Sequence, residues 1–298
     1  MSAQALRTPV IPLPVGGGMR VVHTRAQVRE AVAAARAQGK TVALVPTMGY
    51  LHEGHLSLVD RARAEAGFVA MSIFVNPLQF GPREDLARYP RDLDRDLEMA
   101  RDRGVDLVFA PGVAEMYPAG EPRVAVVPDT MADRLCGASR PGHFRGVLTV
   151  VAKLFGIFAP DVAVFGQKDL QQATLIRRMV TDLDMAVRVE IAPIVREADG
   201  LAMSSRNVYL SPEERERALA LSQGLERCRA LFAAGETDAD VLRAALWAAM
   251  SVPGVEPEYA DVVDARSLEP VQRALPGSVC AVAARVGKTR LIDDAVLG

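Results

Sequence analysis

The chain has 298 residues, half of them hydrophobic and a quarter charged, with a formal net charge of −2. That is the composition of a globular protein able to bury a sizeable core. It excludes a global basic field that would recruit nucleic acid or an anionic membrane surface, and no apolar run is long enough to span a bilayer.

Residues 1–18 end in Pro14-Val15-Gly16-Gly17-Gly18 and lack both a compact apolar segment and a cleavage site. They read as a flexible tail instead of a signal peptide, with Met19 as an alternative translation start. From Val21, short apolar runs alternate with longer amphipathic ones. Thr24 is the expected N-cap of a helix over 25–38, with Gly39 beyond its end. A buried strand follows at 41–46, then a histidine-bearing turn, a helix at 56–66, and a second strand at 68–75 that ends at Asn76-Pro77. The pattern continues with a helix at 93–103, a strand at 106–110, a mostly apolar helix at 143–158 with a face suited to a subunit interface, a strand at 161–165, a helix at 170–182 and a strand at 187–193. Strands this apolar, separated by helices, indicate a parallel sheet covered on both faces. Ligands of such sheets bind beyond the carboxyl ends of the strands.

After about Arg196 the character changes. Ser211-Pro212-Glu213-Glu214 is a strong helix start, leading to about residue 234. A helix over 239–250 and short strands at 259–264, 278–285 and 288–293 complete a small α+β unit. The expected class is therefore α/β: a parallel-sheet domain at 1–195 and a smaller α+β domain at 196–298. Gly287-Lys288-Thr289 resembles the end of a phosphate-binding P-loop, but that motif needs glycine at 282, where Val282 stands; a hairpin turn is expected. Cys136, Cys228 and Cys280 are scattered and odd in number. They suggest neither a metal cluster nor a disulfide framework, which fits a cytoplasmic protein.

Pro46-Thr47-Met48-Gly49-Tyr50-Leu51-His52-Glu53-Gly54-His55 holds two of the four histidines. A strand that delivers them to a helix start sets up an anion site, since the helix end offers N–H groups and the rings add donors. Gly54 lets a ligand approach the backbone, and His52 and His55 share a helical face. Structural or metal-binding histidines remain alternatives, although the zinc-protease spacing would need the second histidine at position 56, which is Leu56. Asn76-Pro77-Leu78-Gln79, directly after a strand, offers neutral amides that can orient hydroxyls and a carboxylate; turn residues are the competing reading. In Gly166-Gln167-Lys168-Asp169-Leu170-Gln171-Gln172, lysine at a helix entrance suits phosphate and Asp169 suits ribose hydroxyls, with Gln172 about one turn on. The alternative is a helix cap with a solvated lysine. Met203-Ser204-Ser205-Arg206-Asn207 has the hydroxyls and guanidinium of a mobile triphosphate clamp, or is a polar linker. Asp92, Asp94, Asp96 and Glu98 form either a solvated helix face or a source of one Mg²⁺ ligand.

Together PTMGYLHEGH, SIFVNPLQFGPREDLARYPR, HFRGV, FGQKDLQQ and READGLAMSSRNVYLS closely resemble, in order, the pantoate-β-alanine ligase (pantothenate synthetase) family. The His-x-Gly-His element alone is shared with the wider nucleotidyltransferase group and with class I aminoacyl-tRNA synthetases. The resemblance implies a Rossmann-like N-terminal domain, a smaller C-terminal domain acting as a lid, and a homodimer. It also implies a two-step reaction: pantoate attacks the α-phosphate of ATP·Mg²⁺, and β-alanine then attacks the pantoyl adenylate, giving pantothenate and AMP. Carried over by position, His52, His55, Lys168, Ser204, Ser205 and Arg206 would be catalytic. Pro46, Thr47, Met48, Gly49, Gly54, Gly166, Asp169, Val195 and Met203 would join them around ATP. Met48, Asn76, Gln79 and Gln172 would hold pantoate, and Asp96 matches the Mg²⁺ ligand. Neither nucleic acid nor membrane is an expected partner. His143 has no assigned role, and Gln167 stands where many relatives carry glutamate. An adenylyltransferase that stops at the adenylated product is the alternative within the same chemistry, and a non-catalytic nucleotide sensor the alternative outside it.

Overall fold

The computed structural model describes residues 18–82 and 84–298; apart from Gly18, the expected tail lies outside the described residues. Six strands, β1 (Arg20–Val22), β2 (Val42–Thr47), β3 (Phe68–Ile73), β4 (Leu107–Phe109), β5 (Val162–Gly166) and β6 (Arg188–Ala192), form one sheet in the order β1-β4-β3-β2-β5-β6. Every pairing is parallel. The crossovers carry α1 (Arg25–Ala37), α2 (Glu53–Glu65), α3 (Leu93–Asp102), α4 (Val113–Met116), α5 (Leu135–Ser139), α6 (His143–Phe158) and α7 (Leu170–Asp182).

The two-residue period of a strand explains the layering. Val42 and Leu44 of β2 point into one core with Phe109, Phe165 and the apolar face of α6. Ala43 and Val45 point into the other, with Val59 of α2 and Ala100 of α3. Both faces are covered, so the central strands read as unbroken apolar runs. Outward from β2, the order runs through β3 and β4 on one side and through β5 and β6 on the other. The carboxyl ends of β2 and β5 therefore flank the point where the winding reverses, the usual ligand crevice of such sheets.

The remaining residues form α8 (Pro212–Ala233) and α9 (Ala239–Met250) against an antiparallel sheet, β7 (Val255–Val263), β8 (Val279–Val286) and β9 (Thr289–Val296). They enclose a separate core that includes Leu221, Leu225, Leu242, Leu246, Val262 and Val282. Val286 pairs with Thr289 across Gly287, whose φ is 56°, so the Gly-Lys-Thr tripeptide is a hairpin turn, as expected. Among the described residues, no helix is long and apolar enough to cross a membrane.

The strand limits of the smaller sheet need correction, and two further features add to the sequence reading. The strands β7 and β9 extend past their expected ends at 259 and 293, because antiparallel pairing with β8 continues there. The edge strand β1 has only three residues, too few for a periodic signal. The apolar face of α6 is spent largely on the chain's own core, where Val147, Leu148, Val151, Leu154, Phe155 and Phe158 are buried.

Candidate active site

The loop after β2 is drawn tight by polar contacts. Thr47 Oγ1 donates to the Ser72 carbonyl at 2.8 Å and accepts from the Gly49 N–H at 3.2 Å. Gly49 (φ 84°) and Tyr50 (φ 49°) are successive left-handed residues. A side chain at Gly49 would put its Cβ 2.9 Å from Asp96 Oδ2, so only glycine fits.

The loop sets His52 as the N-cap of α2. Its Nδ1 accepts from the Gly54 N–H at 3.1 Å, which leaves the ring proton on Nε2, free to donate. That contact modifies the expected anion site, because the ring has taken a backbone N–H meant for phosphate and replaced it with its own. The His55 ring lies 4.1 Å from the His52 ring, and its Nδ1 is sealed from solvent with no protein partner. Both rings are held neutral. Burial is the main cause, lowering His52 to about 2 and His55 to about 4 from the usual 6.5; the Lys168 charge pushes both the same way, and for His52 the His55 ring contributes more than Lys168.

Opposite the rings, β5 ends at Gly166 and a single turn carries Lys168 and Asp169 into α7. Asp169 makes no capping bond to α7, so its side chain is exposed and available. Lys168 Nζ donates to the Met203 carbonyl at 3.2 Å, and the Met203 N–H donates to the Val195 carbonyl at 3.0 Å. The 203–206 segment is thereby laid across the histidines: a Cβ at Gly54 would be 3.5 Å from Met203 Cβ, and Ser205 Oγ donates to the Tyr50 carbonyl at 3.1 Å. Ser204 caps the following 3₁₀ turn by accepting from the Arg206 N–H. The Arg206 guanidinium makes two 2.9 Å bonds to Asp85 and lies over the Tyr89 ring.

A neutral amide cluster sits beside this group. Asn76, almost fully buried, accepts from Tyr117 Oη at 2.7 Å and donates to Gln79 Oε1 at 3.1 Å and to the Gly146 carbonyl at 3.2 Å. Gln79 Nε2 meets Met48 Sδ at 3.1 Å. Gln172 lines a cavity with Lys168, Asp169 and His143. Gln167 turns the other way and donates to Asp294 of β9 at 2.7 Å, tying the Lys168 turn to the antiparallel sheet.

Of the acidic run, Asp92 caps α3. Asp96 is buried, and its two oxygens accept the Tyr50 and Leu51 N–H groups at 2.7 and 2.6 Å. Among the described residues, no three His, Cys, Asp or Glu side chains cluster as a metal site. Asp96, the expected metal ligand, anchors the loop through both oxygens.

Sequence reasoning gave no role to Asp85, Tyr89 or Tyr117. Asp85 and Tyr89 belong to the quoted PREDLARYPR stretch, but their partner Arg206 lies more than a hundred residues away.

The chain is similar to known proteins over nearly its whole length. The family model described as pantoate-beta-alanine ligase matches residues 20–296. The pantothenate synthetase of Moorella thermoacetica is 54% identical over 280 residues, which is 94% of this chain and 99% of the relative; that of Geobacter sulfurreducens is 52% identical over 282 residues, with the same shares covered. The crystal structure of pantothenate synthetase from Thermus thermophilus superposes with a TM-score of 0.89 at 48% identity, covering 93% of this chain and 99% of that one. A Francisella tularensis pantoate-beta-alanine ligase, solved in complex with beta-gamma ATP and beta-alanine, gives 0.77 at 31% identity, covering 93% and 97%. The chain belongs to the pantoate-β-alanine ligase family of enzymes.

Proposed function

We propose that this protein joins pantoate to β-alanine with ATP, releasing AMP and pyrophosphate. The observation that carries the reading is the convergence of His52, His55, Lys168 and the 203–206 segment beside the Asn76–Gln79 amide cluster, at the point where the sheet winding reverses. In the first step a pantoate carboxylate oxygen bonds to the α-phosphorus of ATP, and the bond to the β-phosphate breaks. Pyrophosphate leaves with charge that His52 Nε2–H and Lys168 can take up. In the second step the β-alanine amine attacks the acyl carbon, the bond to AMP breaks and the ammonium proton is lost.

No covalent protein nucleophile is required, so the residues act by alignment and charge stabilisation. Pro46, Gly49, Gly166, Asp169 and Val195 contribute to the ATP-facing walls; Met48, Asn76, Gln79 and Gln172 hold pantoate. Mg²⁺ would supply charge stabilisation at the ATP phosphates, and Asp96 is the residue matched to it, as suits a hard cation that takes one or two carboxylates and keeps much of its hydration. Residues 196–298 act as a lid that keeps water from the reactive anhydride, and the enzyme works as a cytoplasmic homodimer.

The test is one assay with ATP, pantoate and β-alanine, with AMP, ADP and pyrophosphate resolved. AMP and pyrophosphate in equal amounts, with AMP release dependent on β-alanine, are expected. ADP would overturn the mechanism. Pyrophosphate with adenylate retained, whatever amine is added, would favour an adenylyltransferase.

A further inference from the structure

His143 opens α6 after Gly142. Its buried ring is bonded at both nitrogens: Nε2 lies 2.9 Å from Arg140 Nη1, and Nδ1 lies 2.8 Å from the Gln79 carbonyl oxygen. A guanidinium N–H only donates, so Nε2 accepts and the ring proton sits on Nδ1, donated to Gln79. Behind it, Arg140 is clamped by Glu84 through bonds of 2.9 and 2.6 Å. One helical turn on, Gly146 lies directly against the 76–79 turn, where a Cβ would fall 2.2 Å from the Leu78 carbonyl oxygen. Positions i and i+3 share a helical face, so His143 and Gly146 of the HFRG motif seat the same short turn.

The consequence reaches the Gln79 side chain. The Gly146 carbonyl can only accept, so Asn76 must present its NH₂ there, and the Leu78 N–H requires Asn76 Oδ1 on the other side. Gln79 must then turn Oε1 to Asn76, which aims its NH₂ at Met48 Sδ, a weak acceptor. A carboxylate is a far better acceptor for that group.

We propose that His143, backed by Arg140 and Glu84, is a positioning residue for the carboxylic-acid substrate. It pins the Gln79 main chain so that the Gln79 amide N–H groups face the carboxylate to be activated. This rests on the reading of the site as one that activates pantoate.

The test compares KM for pantoate and for ATP in the native enzyme, His143→Ala and His143→Asn, since Asn can restore a donor near Nδ1. Displacement of the turn predicts a roughly 10–100-fold rise in pantoate KM for His143→Ala, ATP KM within about twofold, and recovery of most of the loss in His143→Asn. An unchanged pantoate KM, a parallel rise in both constants, or equal loss in Ala and Asn variants would overturn the proposal. Should His143→Ala melt far below the native enzyme, Glu84→Gln decides instead. It leaves the α6 core intact, and a several-fold rise in pantoate KM alone is expected, no rise being refutation. Native protein that makes no AMP from ATP, pantoate and β-alanine would remove the ligase reading itself, and this proposal with it.

Discussion

Asp96 and Leu51 are joined by a 2.6 Å hydrogen bond, and the other Asp96 oxygen holds Tyr50 at 2.7 Å. One buried carboxylate therefore carries the two peptide groups that lead into His52. Tyr50 is left-handed, a conformation that non-glycine residues adopt only when their surroundings impose it. The carboxylate supplies that imposition. Charge-assisted bonds of this kind are worth about 1.5–3 kcal/mol each. Asp96→Ala should cost about 2–4 kcal/mol of stability and lower turnover, while the Mg²⁺ concentration for half-maximal rate stays unchanged. Denaturant melts and a Mg²⁺ titration check both. A tenfold higher Mg²⁺ requirement at native stability would identify a direct metal contact instead.

Gly54 tests the histidine geometry from the opposite side. A Cβ there meets His52 Cε1 and Nδ1 at 2.9 Å. The ring is the movable end of a side chain, and alanine is otherwise favourable near a helix start. Gly54→Ala should therefore keep its melting temperature within a few degrees and lose roughly 10–100-fold in kcat/KM for ATP as His52 swings out of line. A fully active variant would detach His52 from the chemistry.

Much of this arrangement is legible in the sequence because its signals are local. Thr24 with Gln27 and Ser211 with Glu214 form complete capping boxes at the helix starts they mark. The Val42–Val45 run is buried on both faces, as its unbroken apolarity implies. The hidden parts depend on rotation and distance. Asp92, Asp94 and Asp96 look alike in the chain, and only the rotation of α3 turns Asp96 inward. Asp85 reaches Arg206 across a separation that no short pattern encodes. The apolarity of α6 was legible, but whether it served a core or an interface depended on neighbours brought together by folding.

The neutral histidines give the protein a defined pH response. His55 and His143 are both lowered to about 4, chiefly by burial, with Lys168 beside the first and Arg140 beside the second. In the unfolded chain both titrate near 6.5. Between those values the unfolded state binds protons that the fold refuses, so the contribution of these two rings falls as pH drops from about 6.5 and levels off near 4, while that of His52 goes on falling toward about 2. The slope is up to about 1.4 kcal/mol per pH unit for each ring. Imidazole NMR of the nucleotide-free protein should show both rings neutral at pH 5.5, and the melting temperature should fall between pH 7 and pH 5. An imidazolium signal from either residue at pH 6.5 would contradict the burial argument.

Gly146 and Gly156 lie on the same helix, and their contrast separates packing from propensity. At Gly146 a Cβ would overlap main-chain atoms, 2.2 Å from Leu78 O and 2.7 Å from Gln79 Cα, which cannot yield as a side chain can. At Gly156 a Cβ meets nothing within 4 Å. Alanine at position 156 should stabilise by about 0.5–1 kcal/mol, since it relieves the helix cost of glycine. Alanine at position 146 gains the same propensity but must push the 76–79 turn away, at a cost of about 1–3 kcal/mol or more. The two variants should therefore melt on opposite sides of the native enzyme, by roughly 2–4 °C for each kcal/mol. Gly146→Ala should also raise the pantoate KM while Gly156→Ala leaves it alone. Equal behaviour of the two would mean that α6 does not bear on the Asn76–Gln79 turn at all.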